Sequence, residues 1–188
     1  MIRIGITGSL ASGKSTVAKI ISKGKYPIFS ADKTVANLYK RKSFQKRLTK
    51  IFNLQKKKNI KRELGSVIQY DKKKLKKLEQ IVHPLVRKEM KKKLRKKNNL
   101  KLSIFEIPLL IESKLMKYFN VIIFVSSTKR LRLKRYIGRK GNKKIFTILD
   151  SRQFKPTKKI KICDHVIYNN KNIKSLKKRV KEIIRIYE

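Results

Sequence analysis

The chain has almost no cysteine and no long hydrophobic run. Cys163 is the only cysteine among 188 residues, which excludes an intramolecular disulfide framework and favours a reducing compartment. Apolar runs such as Val121 to Val125 are far shorter than the roughly 20 residues that a membrane-spanning helix needs. The N-terminus does not have the form of a signal peptide, because Arg3 interrupts its apolar residues. We therefore expect a cytoplasmic protein with no membrane partner.

The chain is also poor in acidic residues. Asp and Glu number 11 against 54 Lys and Arg, a formal net charge of +43. Such an excess is typical of proteins that bind nucleic acids or anionic membranes. The basic residues are not gathered in one tail but recur from Lys40 to Lys181, mostly at polar positions of helical patterns, which favours compositional drift over a nucleic-acid interface. Under either interpretation the surface attracts phosphate-bearing substrates, and we expect no specific nucleic-acid partner.

The hydrophobic pattern indicates one α/β domain. A chain of 188 residues with 40% hydrophobic content is long enough to bury a core. Strands are predicted at residues 2–7, 26–32, 102–106, 121–125 and 164–168. Helical periodicity follows most of them, and strands that alternate with helices are typical of a parallel sheet covered on both faces. The sequence therefore predicts a doubly wound, five-stranded parallel sheet with helices on both faces.

Several helices are expected between the second and third strands. A helix begins at Lys33, directly after a strand that ends in Asp32. Residues 56–62 form a basic polar linker, and residues 67–81 form a helix of their own. His83-Pro84 opens a further helix to about residue 97, because proline suits the first turn of a helix.

The stretch after the first strand carries the clearest chemistry. It reads Gly8-Ser9-Leu10-Ala11-Ser12-Gly13-Lys14-Ser15, the phosphate-binding loop known as Walker A, or P-loop. A buried strand precedes it and a helix follows it, which is the context that this motif requires. Its glycines allow backbone conformations closed to other residues, so that loop N–H groups point at an anion.

Two side chains of the loop have distinct tasks toward a bound nucleotide. Lys14 places an ammonium group against the outer phosphates, and Ser15 offers a hydroxyl group to Mg²⁺, which bridges the phosphate oxygens. The helix that begins just after Gly13 adds the positive end of its dipole. The sequence thus predicts an ATP site with Mg²⁺ as cofactor.

Asp32 is the candidate group for the acceptor. It ends the second strand, and ligands of such sheets bind at the carboxyl ends of the strands. A carboxylate there orients an attacking hydroxyl, accepts its proton or holds Mg²⁺ through water. Aspartate is equally a favoured N-cap for the helix at Lys33, and the residues alone leave both roles open.

Other P-loop classes fit the chain less well. The strand Val121 to Val125 ends in Ser126-Ser127, where many ATPases have aspartate, and no Asn-Lys-x-Asp sequence is present to read guanine. The third glycine of adenylate-kinase-like loops is also missing. A small kinase that acts on a hydroxyl group remains.

At this level of detail the sequence resembles the dephospho-coenzyme A kinases over almost its whole length. The matching segments are Ile4 to Ala18, Ser30-Ala31-Asp32, His83-Pro84-Leu85-Val86, Pro108 to Glu112, Gln153, Lys159 and Cys163 to Asn169. The resemblance implies transfer of the ATP γ-phosphoryl group to the ribose 3′-hydroxyl of dephospho-CoA, the last step of coenzyme A biosynthesis. ATP and dephospho-CoA are thus the expected partners of a monomer.

The resemblance also implies roles for individual residues. Catalytic roles fall on Lys14, Asp32, Arg135 and Arg139. The two arginines are expected on one helix after the fourth strand, where a spacing of four residues puts them on one face. Nucleotide contacts fall on the loop from Gly8 to Ser15, on Thr16 and on Asn169, which is expected near the adenine. Acceptor contacts fall on Asp32, His83, Pro108, Leu109 and Glu112.

The same resemblance divides the single kinase domain, residues 1–188, into three parts. The core comprises residues of about 1–55, 100–127 and 160–188, the helical acceptor-binding insertion about 56–99, and the lid about 128–159. Ser30, Arg132 and Cys163 depart from the family pattern, and residues 141–150 follow it poorly. Two alternatives stay open: a small P-loop kinase for a nucleoside or sugar hydroxyl, and a basic nucleic-acid-binding protein.

Overall fold

The computed structural model describes residues 1–55, 60–68, 71–96 and 99–188. The chain forms two compact units, one of Met1–Ser30 with Asn98–Glu188 and one of Ala31–Lys97. The second unit begins before the predicted acceptor-binding insertion at residues 56–99. The binding roles assigned to that insertion and to the lid stay predictions.

The elements follow one another in strand–helix alternation, interrupted by a run of helices. In chain order they are β1 (Ile2–Gly8), α1 (Lys14–Ser22), β2 (Ile28–Ser30), α2 (Ala31–Lys40), α3 (Lys42–Phe52), α4 (Ile60–Ile68), α5 (Lys72–Arg95), β3 (Leu102–Glu106), a 3₁₀ turn (Met116–Tyr118), β4 (Val121–Ser126), α6 (Lys129–Ile137), α7 (Lys143–Ser151), α8 (Pro156–Ile160), β5 (His165–Tyr168) and α9 (Ile173–Ile184).

The first unit is built on the sheet. Its strands are all parallel, in the order β2-β3-β1-β4-β5. In the register, Ile4 of β1 pairs with Ile104 of β3 and with Val121 of β4. The predicted five-stranded parallel sheet is confirmed, and the carboxyl ends of its strands lie along one edge.

Both faces of the sheet are covered, which explains why the central strands are apolar throughout. On one face α1 and α9 bury aliphatic side chains against β1, β3 and β4, with Val17 and Val180 almost completely buried. On the other face the chain after β3 packs directly on β1, because a Cβ on Gly5 would lie 2.7 Å from the Leu110 side chain. The two layers hold the carboxyl edge of the sheet in place.

The second unit has its own core, formed by α2 to α5. Its buried members are Leu38, Phe44, Leu48, Phe52, Leu54, Leu64, Leu78 and Val82. On α5, Leu78, Val82, Met90 and Leu94 are buried at intervals of four or eight residues, which is the spacing of one helical face.

The prediction that His83-Pro84 opens a helix is wrong. Helix α5 runs from Lys72 to Arg95 with Pro84 in its interior. Its N-cap is Asp71, whose side chain accepts a hydrogen bond from Lys74 N at 2.9 Å. An aspartate N-cap is a stronger start signal than the proline, which removes a single backbone hydrogen bond.

Two further boundaries differ from the expectation. Ile60 opens α4, so residues 60–62 of the predicted linker are helical, while residues 56–59 lie outside the described part. The predicted helix over residues 67–81 is divided between α4 and α5. In the described part of the chain, no helix combines the length and the apolar character that a membrane span requires.

Candidate active site

The phosphate loop joins β1 to α1 at the carboxyl edge of the sheet. Gly13 has a φ of 102°, in the left-handed region, and a Cβ there would lie 2.2 Å from the Asn169 amide nitrogen. At Gly8 a Cβ would lie 2.4 Å from the Val125 carbonyl oxygen. Both positions of the motif therefore require glycine for steric reasons, and the loop follows a tight path between β4 and the end of β5.

Lys14 is buried, and its side chain turns back so that the ammonium group lies against the start of the phosphate loop. Its Nζ donates to the carbonyl oxygens of Gly8, at 3.1 Å, and Ser9, at 3.0 Å. Ser15 and Thr16 complete the first turn of α1, where Thr16 N donates to Gly13 O at 3.0 Å. A positive side chain and the positive end of a helix thus meet at the same loop, which suits an anionic ligand.

Glu106 is a site residue that the sequence reasoning missed. It ends β3 beside β1, is 5% exposed, and accepts a hydrogen bond from Ser15 Oγ at 2.5 Å. The sequence reasoning sought a carboxylate at the end of β4, where Ser126 stands. The usable signal was the apolar strand Leu102–Glu106, which ends in a charged residue at the edge where ligands bind.

The pair of Ser15 and Glu106 suits Mg²⁺. Hydroxyl and carboxylate oxygens are ligands that Mg²⁺ takes, usually one or two from the protein beside phosphate oxygens and waters. No cluster of three or more His, Cys, Asp or Glu side chains occurs among the described residues. The donor set therefore fits an ion held jointly with a nucleotide.

Asn169 lies directly against the phosphate loop. Its side chain is buried, and Nδ2 donates to Ser12 O at 2.8 Å. Its backbone oxygen accepts hydrogen bonds from Ser127 Oγ, at 3.0 Å, and from Arg135 Nη2, at 2.9 Å. Asn169 thereby fixes the loop, and the predicted position near an adenine stays a prediction.

The two arginines of the predicted lid do not share a helix. Helix α6 ends at Ile137 with Gly138 as its C-cap, so Arg139 lies beyond the helix, and the expectation that both arginines share one helical face is wrong. The glycine ends the helix one residue before Arg139. Arg135 is half-buried and also donates to Ser127 Oγ at 3.1 Å. Burial, and then the charge of Arg139, lower the pKa of Arg135.

Arg132, noted from the sequence only as a departure from the family, is central to this region. Its side chain is 5% exposed and forms an ion pair with Asp150 at 2.5 Å. The same guanidinium donates to Leu10 O at 3.3 Å and to Ser127 O at 3.2 Å. Gln153 accepts a hydrogen bond from Leu10 N at 3.2 Å. The tip of the phosphate loop is thus held by residues of the predicted lid.

The turn after β3 contains the predicted acceptor residues Pro108, Leu109 and Glu112. Thr7 Oγ1 donates to Pro108 O at 2.9 Å, which ties the turn to β1. Glu112 forms an ion pair at 2.6 Å with Lys159, whose side chain is fully buried. The Glu112 carboxylate therefore serves the packing of this unit, and a direct contact between this turn and an acceptor stays a prediction.

Asp32 and His83 belong to the second compact unit. Asp32 is the second residue of α2 and is exposed, so the predicted strand stops earlier, at Ser30, than the sequence suggested. Ala31 and Asp32 begin α2 instead of extending the strand. The helix dipole favours the negative charge of Asp32 in the first turn. His83 is half-buried within α5. The roles of both residues toward a substrate stay predictions.

Comparison by sequence shows the family of this chain. A profile of the dephospho-CoA kinase family matches residues 2–175. The dephospho-CoA kinase of Fusobacterium nucleatum is 37% identical over 182 residues, 94% of this chain and 94% of that protein. Among solved structures, TT1252 from Thermus thermophilus has a TM-score of 0.79 at 28% identity, with 100% of this chain and 98% of that chain covered.

A second solved structure carries the family name itself. Dephospho-CoA kinase from Campylobacter jejuni has a TM-score of 0.65 at 25% identity, with 99% of this chain and 97% of that chain covered. The family match extends over the sheet, the phosphate loop and both compact units. The chain belongs to the dephospho-CoA kinase family.

Proposed function

We propose that this protein transfers the γ-phosphoryl group of ATP to the ribose 3′-hydroxyl of dephospho-CoA. The observation that carries the proposal is the phosphate loop, with Lys14 held over it and Ser15 paired to Glu106, in a chain of the dephospho-CoA kinase family. ATP phosphates would replace the loop's own carbonyl groups as partners of the Lys14 ammonium. We further propose that the protein acts as a cytoplasmic monomer.

Ser15 and Glu106 would hold the Mg²⁺ that accompanies ATP. The ion supplies charge neutralisation of the phosphate oxygens. Ser15 lies at the start of α1 and Glu106 at the end of β3, the neighbour of β1. Their oxygens already share a hydrogen bond, so both donors converge on one point. Arg135 and Arg139 would stabilise the charge of the transferred group, as cationic side chains do in phosphoryl transfer.

Asp32 is proposed to accept the proton of the acceptor hydroxyl. We propose that the acceptor is contacted by His83, Pro108 and Leu109. Glu112 would position the turn beside the acceptor through its ion pair with Lys159. The family resemblance supports these assignments, and a carboxylate is a suitable group for such proton transfer.

The test is an ATP-consumption assay against dephospho-CoA and a panel of nucleosides and sugars. We expect preferred turnover of dephospho-CoA; preference for another acceptor would overturn the proposal. In the same assay Asp32→Asn should lower kcat by more than tenfold and leave ATP affinity nearly unchanged. Glu182→Gln, on the exposed side of α9, serves as the matched control. An equal loss of ATP binding and turnover in Asp32→Asn would assign this residue a structural role instead.

A further inference from the structure

The segment from Asp150 to Lys159, here called the strap, contacts the phosphate loop on one side. Both backbone polar groups of Leu10 are held: its N–H donates to Gln153 Oε1 at 3.2 Å, and its carbonyl accepts from Arg132 Nη1 at 3.3 Å. Asp150 fixes that guanidinium through two contacts, at 2.5 and 3.3 Å. The position of the loop tip therefore depends on the strap.

The strap contacts the Pro108–Glu112 turn on its other side. Phe154 N donates to Glu112 Oε1 at 2.9 Å, and Lys159 Nζ lies 2.6 Å from the same oxygen. The Lys159 side chain is fully buried and that of Glu112 is 12% exposed. A buried ion pair breaks only at a high cost in free energy, because separation leaves a charge without a partner. The turn and the strap therefore move together.

The two sets of contacts are made by neighbouring residues. Gln153 contacts the phosphate loop, and Phe154, the next residue, contacts the turn. Consecutive Cα atoms are about 3.8 Å apart across a rigid peptide plane. A displacement of the loop tip should therefore displace the turn as well. Pro156, at the first position of α8, further restricts the backbone between Phe154 and Lys159.

We propose that the strap couples nucleotide binding at the phosphate loop to acceptor binding at the Pro108–Glu112 turn, with Gln153 and Glu112 as positioning residues. The inference rests on the proposed function in one respect, since it takes this turn as the acceptor side. It also accounts for three residues of the family resemblance that have no part in the chemistry: Glu112, Gln153 and Lys159.

The direct test is calorimetric binding of a non-hydrolysable ATP analogue with and without saturating dephospho-CoA. In the unchanged protein we expect dephospho-CoA to tighten analogue binding about tenfold, within the usual range of coupling between sites. Gln153→Met keeps the length of the side chain but removes the acceptor oxygen, so the ratio of the two Kd values should fall to nearly 1. Gln153→Glu, which keeps an acceptor oxygen, should retain the coupling.

Controls separate coupling from folding. Lys155→Met, at an exposed position of the same strap, should bind like the unchanged protein. The double variant Glu112→Met with Lys159→Met removes both charges of the buried pair and the oxygen that accepts from Phe154 N, leaves neither charge without a partner, and should lose the coupling as Gln153→Met does. Thermal unfolding monitors all variants. A coupling ratio in folded Gln153→Met equal to that of the unchanged protein would overturn the proposal.

A second readout distinguishes failure of the strap from failure of the proposed function. The amides of Leu110, Ser113 and Lys114 are hydrogen-bonded within the turn region, and the ATP analogue alone should slow their hydrogen exchange through the strap. The slowing should be absent in Gln153→Met. If dephospho-CoA did not bind at all, the proposed function would fail, and this exchange experiment alone would decide for or against the strap.

Discussion

At the scale of single residues, the side chains of Lys14 and Ser15 in the phosphate loop already have partners within the chain. Lys14 is hydrogen-bonded to loop carbonyls and Ser15 to Glu106. Buried polar groups without partners would destabilise the fold by about 1–3 kcal/mol each. These contacts therefore keep the loop ordered before a nucleotide binds, and a ligand gains affinity only by forming better ones.

Replacement of Glu106 by glutamine tests the metal assignment. Glutamine still accepts the Ser15 hydrogen bond but lacks the negative charge that attracts Mg²⁺. We expect the Mg²⁺ concentration for half-maximal activity to rise about tenfold, which corresponds to about 1.4 kcal/mol of lost interaction. A Mg²⁺ titration of activity measures this, with thermal unfolding in the absence of metal as the check on folding. An unchanged Mg²⁺ requirement would contradict the assignment.

Cys163 should react slowly with thiol reagents. Burial, followed by the nearby charge of Asp164, raises the pKa of this thiol from 9.0 to about 11, and the thiolate is the reactive form. Near pH 8 the thiolate fraction of such a thiol is about a hundredfold lower than that of an ordinary cysteine. The alkylation rate with iodoacetamide, compared with that of a cysteine peptide, should therefore be about a hundredfold lower and rise up to pH 11. A rate equal to that of the peptide would contradict the expectation.

At the scale of elements, α5 shows how packing overrides a local signal. Pro84 lies in the middle of a helix of 24 residues, although proline in a helix interior is unfavourable by about 3 kcal/mol relative to alanine. The buried side chains on both sides of it, Leu78 and Val82 before and Met90 and Leu94 after, lie on one face. Their burial compensates for the proline and keeps the helix continuous.

Pro84→Ala should accordingly stabilise the protein. Alanine restores a backbone N–H, while the more flexible unfolded chain offsets part of the gain. We expect the free energy of unfolding to rise by about 1–2 kcal/mol, measured by urea denaturation. Lys88→Ala, at an exposed position of the same helix, is the control for added alanine. A destabilised Pro84→Ala would show that the proline sets a bend that the core of this unit requires.

The sheet was predictable because its strands are short apolar runs, and the phosphate loop because its residues are fixed by local geometry. The partners of the site were not predictable in the same way. Ser15 and Glu106 are 91 residues apart, and Arg132 and Asp150 are 18 apart. With 54 basic residues available, the sequence alone does not indicate which one each carboxylate binds. The first pairing depends on the order of the strands, and the second on how α6 and α7 pack against each other.

At the scale of the whole molecule, four of the scarce carboxylates have partners around the sheet, and one of them, Glu106, is buried. Glu106 binds Ser15, Glu112 binds Lys159, Asp150 binds Arg132, and Asp164 accepts from Ile122 N at 2.7 Å. All four lie in the first unit. The large excess of positive charge is therefore left mostly on the surface, where it repels itself.

Added salt should stabilise this protein. Chloride at 0.5 M shortens the Debye length to well below its value of about 10 Å at 0.1 M, which weakens repulsion among the surface charges. We expect the melting temperature to rise by several degrees between 0.05 and 0.5 M KCl. Each added kcal/mol in the free energy of unfolding corresponds to about 2–4 °C. Sulfate at the same ionic strength, which can also occupy the phosphate loop, should raise it further. A melting temperature that is constant or falls in KCl would contradict the expectation.

The strand order also determines when the sheet can form during synthesis. The central strand β1 leaves the ribosome first, but its neighbours are β3, at Leu102–Glu106, and β4, at Val121–Ser126. At translation rates of about 5–20 residues per second, roughly 5–20 s pass before the first of them is made. The unit of Ala31–Lys97 is contiguous and complete by then. The nascent chain thus carries a finished helical unit while Ile2–Gly8 still has both edges unpaired, which makes this apolar strand a natural target for chaperones.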